Sequence, residues 1–250
     1  MRIARMLAAA AATAVLVSAC SNDDDVTDRS LRVFAAASLT DAFTELGEAF
    51  EAVNRDADVE FNFGASSELV VQIQEGAPAD AFASADEANM QKVVDAGLNA
   101  SDPVVFARNR LAIAVEPGNP KGITGLADLA DPDVTVVLCA EQVPCGTYAD
   151  EALATAGVTL TPVSRGESVK ATLSVVELGE ADAAIVYVTD ARASERVDGI
   201  DIPDEENVIA TLPIAGLLDT GAPDVADAWV EFVTSAEGLA ILEEYGFLAP

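Results

Sequence analysis

The sequence predicts an α/β protein of two lobes, each a doubly wound, mainly parallel sheet, with a ligand cleft between the lobes. Three observations carry that expectation. Apolar runs of strand length alternate with segments of helical period along most of the chain. The pattern restarts near Arg110 without a long linker, which favours two lobes joined by crossing strands over independent domains. Four strand-to-helix turns, two in each half, place hydroxyl or amide groups at a helix start. There the unpaired N–H groups and the positive end of the helix dipole favour an anion.

Taken in order, Val33 to Ala37 is an apolar run suited to a buried strand. Leu39, Ala42, Phe43, Leu46, Ala49, Phe50 and Val53 then recur at three- and four-residue steps, one stripe of a helix. Between them, Ser38-Leu39-Thr40-Asp41 fits a capping box, in which Ser38 caps the helix. Val59 to Phe63 alternates as a strand, Gly64-Ala65-Ser66-Ser67 turns, and a helix from Glu68 stops at Gly76. Ala79 to Ala85 is a short strand leading into an Asp86-capped helix that ends at Gly97.

The second half reads similarly. Leu111 to Val115 is a strand, Leu126 to Leu129 a short helical turn, and Val134 to Cys139 a strand. A loop over Ala140 to Gly146 opens a helix from Thr147 to Ala156, and Val158 to Val163 is a brief strand. Ser168 opens a helix carrying Val169, Leu173, Val176 and Leu178, and Ala183 to Tyr187 is a buried strand. Val208 to Ile214 returns as a strand before a last helix with Trp229, Phe232 and Val233. The crossings between lobes fall near Phe106–Arg110 and Ala210–Ala215.

Composition excludes several function classes. With 43 acidic against 13 basic residues and a formal charge of −30, the chain has no basic footprint for nucleic acid. Histidine is absent, which removes Ser-His-Asp and Cys-His catalysis and every His-ligated metal site. No nucleophile elbow, P-loop or dinucleotide fingerprint occurs, so no enzyme class is indicated.

Residues 1–19 read as an export leader: Arg2 and Arg5 precede an apolar run, Met6 to Val17, too short for a comfortable membrane span. Val17-Ser18-Ala19-Cys20 resembles a lipobox, with Cys20 the lipidated residue and 20–30 a polar tether. The expected location is the outer face of the cytoplasmic membrane. Three cysteines then leave Cys139 and Cys145 as a pair in an oxidising compartment, where a small-loop disulfide is the preferred reading.

The four helix starts lie at Ser38, at Ser66-Ser67, at Cys145-Gly146-Thr147 and at Ser168-Val169. Any one of them alone is an ordinary N-cap. Converging, four dipole ends of roughly half a charge each would complement a dianion without any arginine. Four or five hydrogen bonds to a charged group, at about 1.5–3 kcal/mol each, suffice for micromolar binding, which needs about 8 kcal/mol.

Several strings resemble, in order and spacing, the molybdate-binding proteins of bacterial ABC transporters. They are Phe34-Ala35-Ala36-Ala37-Ser38-Leu39-Thr40, Gly64-Ala65-Ser66-Ser67, Glu75-Gly76-Ala77-Pro78-Ala79-Asp80, Val143-Pro144-Cys145-Gly146-Thr147-Tyr148-Ala149 and Ala184-Ile185-Val186-Tyr187. The resemblance covers residues 31–250. It implies a periplasmic-binding-protein-like fold of type II, with lobe I over 31–108 and 210–250 and lobe II over 109–209. It further implies a monomer that binds molybdate or tungstate without a cofactor and delivers it to an ABC permease. The implied ligands are the hydroxyls of Ser38, Ser66 and Tyr187 and the amides of Cys145 and Val169. The family often has a small residue where Cys145 stands, which leaves a backbone donor unaffected. The same fold binding sulfate, phosphate or another oxyanion is the alternative. Asp41 and Asp190 could serve phosphate as acceptors but read as surface or capping residues, and Arg165 and Lys170 read as solvated flanking residues.

Overall fold

The computed structural model describes residues 30–250. The expected leader, the lipidation at Cys20 and nearly all of the tether lie outside the described residues. The first half contains β1 (Ser30–Ala36), a 3-10 turn (Ala37–Leu39), α1 (Thr40–Val53), β2 (Asp58–Gly64), α2 (Ser66–Gln74), β3 (Ala81–Ala83) and α3 (Glu87–Asp95). A long strand, β4 (Val104–Val115), leads into β5 (Val136–Cys139), α4 (Pro144–Thr155), β6 (Ser164–Gly166), α5 (Val169–Glu177), β7 (Ala183–Tyr187), α6 (Val188–Ala193) and β8 (Asp198–Asp201). Strand β9 (Ile209–Gly216), α7 (Pro223–Val233) and α8 (Ala236–Glu244) complete the chain.

The strands order as β2-β1-β3-β9-β4-β7-β5-β6, with β8 against β4. Pairing is parallel in β1-β2, β1-β3, β5-β6 and β5-β7. It is antiparallel wherever β4 or β9 takes part. The cause is connectivity: one strand leaves the first half, the other returns to it, and neighbours running out and back must be antiparallel. Strand β4 serves both halves, since residues 104–110 pair with β9 and 111–115 pair with β7.

The core of the first half closes over Trp229, which is fully buried. Its ring lies 5.8 Å from Phe43, 5.3 Å from Phe50 and 5.9 Å from Phe61, all in tilted or edge-on contact. Aromatic quadrupoles favour those arrangements over face-to-face stacking. The core of the second half is aliphatic, with β5 and β7 buried along their whole length.

Several boundaries differ from the sequence expectation. Helix α2 begins at Ser66 rather than Glu68, and α4 at Pro144 rather than Thr147. Proline is well placed at a helix start, where its missing N–H has no helical partner to lose. The next turn accepts glycine alone, because a Cβ at Gly146 would collide with the Ala140 carbonyl. Val158–Val163 is not a strand; the edge pairing falls on Ser164–Gly166 instead. Strand β8 and helix α6 were not expected, and the tail Leu239–Leu242 forms α8, capped by the Ser235 hydroxyl.

Candidate functional site

The five expected ligand residues, Ser38, Ser66, Cys145, Val169 and Tyr187, come from the two halves and all line one narrow cleft of about 10 Å³. Among the described residues no charged side chain lines it. Its free volume lies far below the roughly 300–1,000 Å³ of sites for drug-sized molecules, so it leaves room only for a very small ligand.

Ser38 sits in the 3-10 turn after β1 and does not cap α1, correcting the capping-box expectation. Because that turn intervenes, the N-cap position falls on Leu39, which has no side-chain cap bond. Thr40 instead donates its hydroxyl to the Ala37 carbonyl at 2.8 Å. The Ser38 Oγ is left buried with no hydrogen-bond partner among the described residues. The Tyr187 hydroxyl, from the opposite half, is likewise buried and unpartnered. Burial pushes the Tyr187 pKa well above its ordinary value, with Tyr148, Asp86 and Asp190 adding to the shift. At neutral pH it is therefore a neutral O–H donor.

Ser66 is fixed differently. It is the first residue of α2, and its Oγ accepts the Ala85 N–H at 3.0 Å, which leaves its own proton free to be donated. At α4, Gly146 and Thr147 donate to the Val143 carbonyl, while Cys145 occupies a first-turn position whose amide has no intrahelical acceptor. Cys145 is disulfide-bonded to Cys139, the end of β5. The pairing expected from the cysteine count is thus present, tying the helix start to the strand before it. Val169 is the first residue of α5, whose N-cap Ser168 accepts the Ala171 N–H at 3.2 Å.

Two expectations about charged residues are corrected. Asp190 is neither surface nor cap but 1% exposed, and its carboxylate oxygens make no hydrogen bond of ordinary geometry among the described residues. Burial raises its pKa to about 6, against the opposing pull of Lys170. Lys170 is not a freely solvated flank. Its Nζ lies 2.7 Å from Asp41 Oδ2 and 3.5 Å from Asp190 Oδ1. Burial alone would lower the Lys170 pKa, but Asp190 and Asp41 outweigh it and raise the value. Arg165 braces the disulfide segment, donating to the Cys139 carbonyl at 2.8 Å and to Asp150 at 2.9 Å. None of these side chains lines the cleft. The burial of Asp190 had no local signature, since an acid in a first helical turn reads as favourable to the dipole wherever the turn points.

A family model described as bacterial extracellular solute-binding protein matches residues 31–248. The chain belongs to that family. This solute-binding protein is 44% identical over 223 residues to the molybdate-binding protein ModA of Mycobacterium tuberculosis H37Rv, covering 89% of this chain and 85% of the relative. It is 31% identical over 244 residues to the putative ABC transporter substrate-binding lipoprotein YvgL of Bacillus subtilis, covering 94% of each. Among solved structures, the periplasmic molybdate-binding protein of Azotobacter vinelandii superposes with a TM-score of 0.78 at 20% identity, over 88% of this chain and 99% of that one. The sulfate-binding protein SubI of M. tuberculosis also reaches 0.78, at 21% identity, over 87% and 86%. The two-lobed type II fold is therefore common to binders of different oxyanions, and the fold alone does not choose between them.

Proposed function

We propose that this protein captures molybdate outside the cytoplasmic membrane and delivers it to an ABC importer. One observation carries the reading. Two buried hydroxyls from opposite halves, Ser38 and Tyr187, reach one small uncharged cleft without a partner among the described residues. Buried polar groups are normally satisfied, and a tetrahedral oxyanion would satisfy both. Ser66 and the amides of Cys145 and Val169 complete the proposed ligand set.

All of these groups can donate a hydrogen bond, and among the described residues no carboxylate lines the cleft to accept one from a protonated anion. That favours molybdate, tungstate or sulfate over phosphate. The mycobacterial relative named for molybdate favours molybdate over sulfate. Tungstate, almost the same size, should bind comparably. Sulfate is the smaller tetrahedron, and each donor it fails to reach would cost about 1–3 kcal/mol. Titration calorimetry against molybdate, tungstate, sulfate and phosphate tests the assignment. Equal affinities for sulfate and molybdate would refute the size argument.

The Val17–Cys20 string and the relative described as a lipoprotein support anchoring through Cys20. The Cys20→Ala variant should move from the membrane fraction to the soluble fraction. Retention on membranes after a high-salt wash would remove the anchor from the proposal.

A further inference from the structure

Just outside the cleft, charged side chains from the first turns of three helices meet. Asp41 lies in the first turn of α1, Lys170 in that of α5 and Asp190 in that of α6. Asp41 follows β1, in the half formed by β1, β2, β3 and β9, whereas Lys170 and Asp190 belong to the half formed by β5, β6 and β7. The 2.7 Å contact between Lys170 Nζ and Asp41 Oδ2 therefore spans the two lobes. Among the described residues the other recorded ion pairs stay within one half or lie on β4.

We propose that Lys170 is a closure clasp: a positioning residue that touches no ligand and stabilises the closed cleft by pairing with Asp41 across the lobes. This rests on the oxyanion-binding reading above. The placement argues for it directly. Lys170 follows Val169, a proposed amide donor, and Asp41 stands three residues after Ser38, a proposed hydroxyl donor. Whatever brings the ammonium onto Asp41 also brings those two donors towards one ion. Opening the cleft must separate all of them together.

Asp190 explains why a lysine can act here without binding the anion itself. Its side chain is wholly buried, its oxygens make no hydrogen bond of ordinary geometry among the described residues, and Lys170 from its own lobe is the cation beside it. That attraction persists when the lobes part, so the ammonium stays at the rim. Much of the entropy cost of ordering a long side chain is then met before closure. Two carboxylates around one ammonium also leave no net positive charge facing the cleft. The clasp therefore adds to the stability of the closed form and not to direct attraction for the ligand. Its contribution should be nearly the same for every oxyanion. The cross-lobe contact is half exposed, with side-chain exposures of 33% and 46%, so it is weak enough to be undone on release.

The decisive variant is Asp41→Asn, which leaves the Lys170–Asp190 pair intact and strands no buried charge. Affinities and dissociation rates are measured for molybdate and for sulfate, in low salt and in about 1 M salt, where screening reaches about 3 Å. The expected loss in low salt is roughly three- to fivefold, as for a good partly exposed ion pair, and appears mainly as faster dissociation. It is equal for both anions, it shrinks in high salt, and Asp41→Glu restores most of it. The ligand-free variant should also scatter X-rays as a more open particle than the wild type in low salt.

Wild-type affinity and an unchanged scattering profile in Asp41→Asn would overturn the clasp. So would a loss that changes the molybdate-to-sulfate ratio, or one that Asp41→Glu leaves uncorrected. A wild-type protein that prefers sulfate would instead refute the molybdate assignment, and the clasp would still be decided by the same comparison on sulfate.

Discussion

Removing the Ser38 hydroxyl should weaken binding and leave the ligand-free fold at least as stable, a combination that few site mutations share. This oxygen is buried and bonded to nothing among the described residues. A buried polar group without a partner costs about 1–3 kcal/mol. Ser38→Ala removes that cost along with one small oxygen, so the ligand-free midpoint should stay level or rise by a few degrees, at about 2–4 °C per kcal/mol for a chain of this size. The same change deletes a hydrogen bond to a dianion, about 1.5–3 kcal/mol, which is roughly a ten- to 150-fold loss of affinity. Ser66→Ala should behave otherwise, because its oxygen accepts the Ala85 N–H at 3.0 Å. Stranding that amide should lower the unfolding free energy by about 1–3 kcal/mol while also weakening binding. Urea unfolding without ligand and calorimetry with molybdate, run on both variants, give the comparison. If Ser38→Ala destabilises the free protein as much as Ser66→Ala does and binds normally, Ser38 is structural and the site reading fails.

Other consequences are open to direct measurement. Reducing the Cys139–Cys145 bond, which closes a loop with a sequence separation of 6, should cost about 2 kcal/mol in the chain-entropy account. Because Cys145 is a proposed donor, affinity should fall too; unchanged calorimetry after reduction would remove the disulfide from the binding mechanism. The pH response is set by Asp190, whose pKa rises from an ordinary 3.8 to about 6. A carboxyl raised on folding contributes stability that is full below pH 3.8 and is lost as pH rises through about 6. About 2 units at 1.36 kcal/mol each makes that roughly 3 kcal/mol. Asp190→Asn should therefore gain on the wild type by that order between pH 4 and pH 7.5, and a flat difference in unfolding free energy would contradict it.

Local rules located what is local. Asp86 and Ser168 were legible as caps because a cap joins a side chain to an amide three residues away. The apolar runs at β1, β5 and β7 were legible because buried strands need nothing more than apolar residues. Ser38 shows the limit, since its string satisfies the capping pattern and the intervening 3-10 turn cancels it. Helix α4 starts earlier than its composition implies, because Pro-Cys-Gly reads as a loop until the packing of Gly146 on Ala140 is known. Strand β8, Asp-Gly-Ile-Asp, has no alternation to detect and exists because β4 offers it an edge. Asp190 and Lys170 depart from the sequence expectation for a related reason: burial is a property of neighbours, and the neighbours come from other segments.

The placement of Trp229 bears on how the chain matures. Its partners Phe43, Phe50 and Phe61 lie near the start of the chain, and the helix that carries Trp229 begins only at Pro223. Strand β3 likewise waits for β9 to become its neighbour. As the polypeptide emerges amino end first, Phe34, Leu69, Ile73, Phe82 and Met90 can pack on one another early, but the face carrying Phe43, Phe50 and Phe61 is not covered until nearly the last residues have appeared. Such long-range pairing slows folding. The last helices therefore decide when that face of the core is finished, a late step that suits a member of an extracellular family.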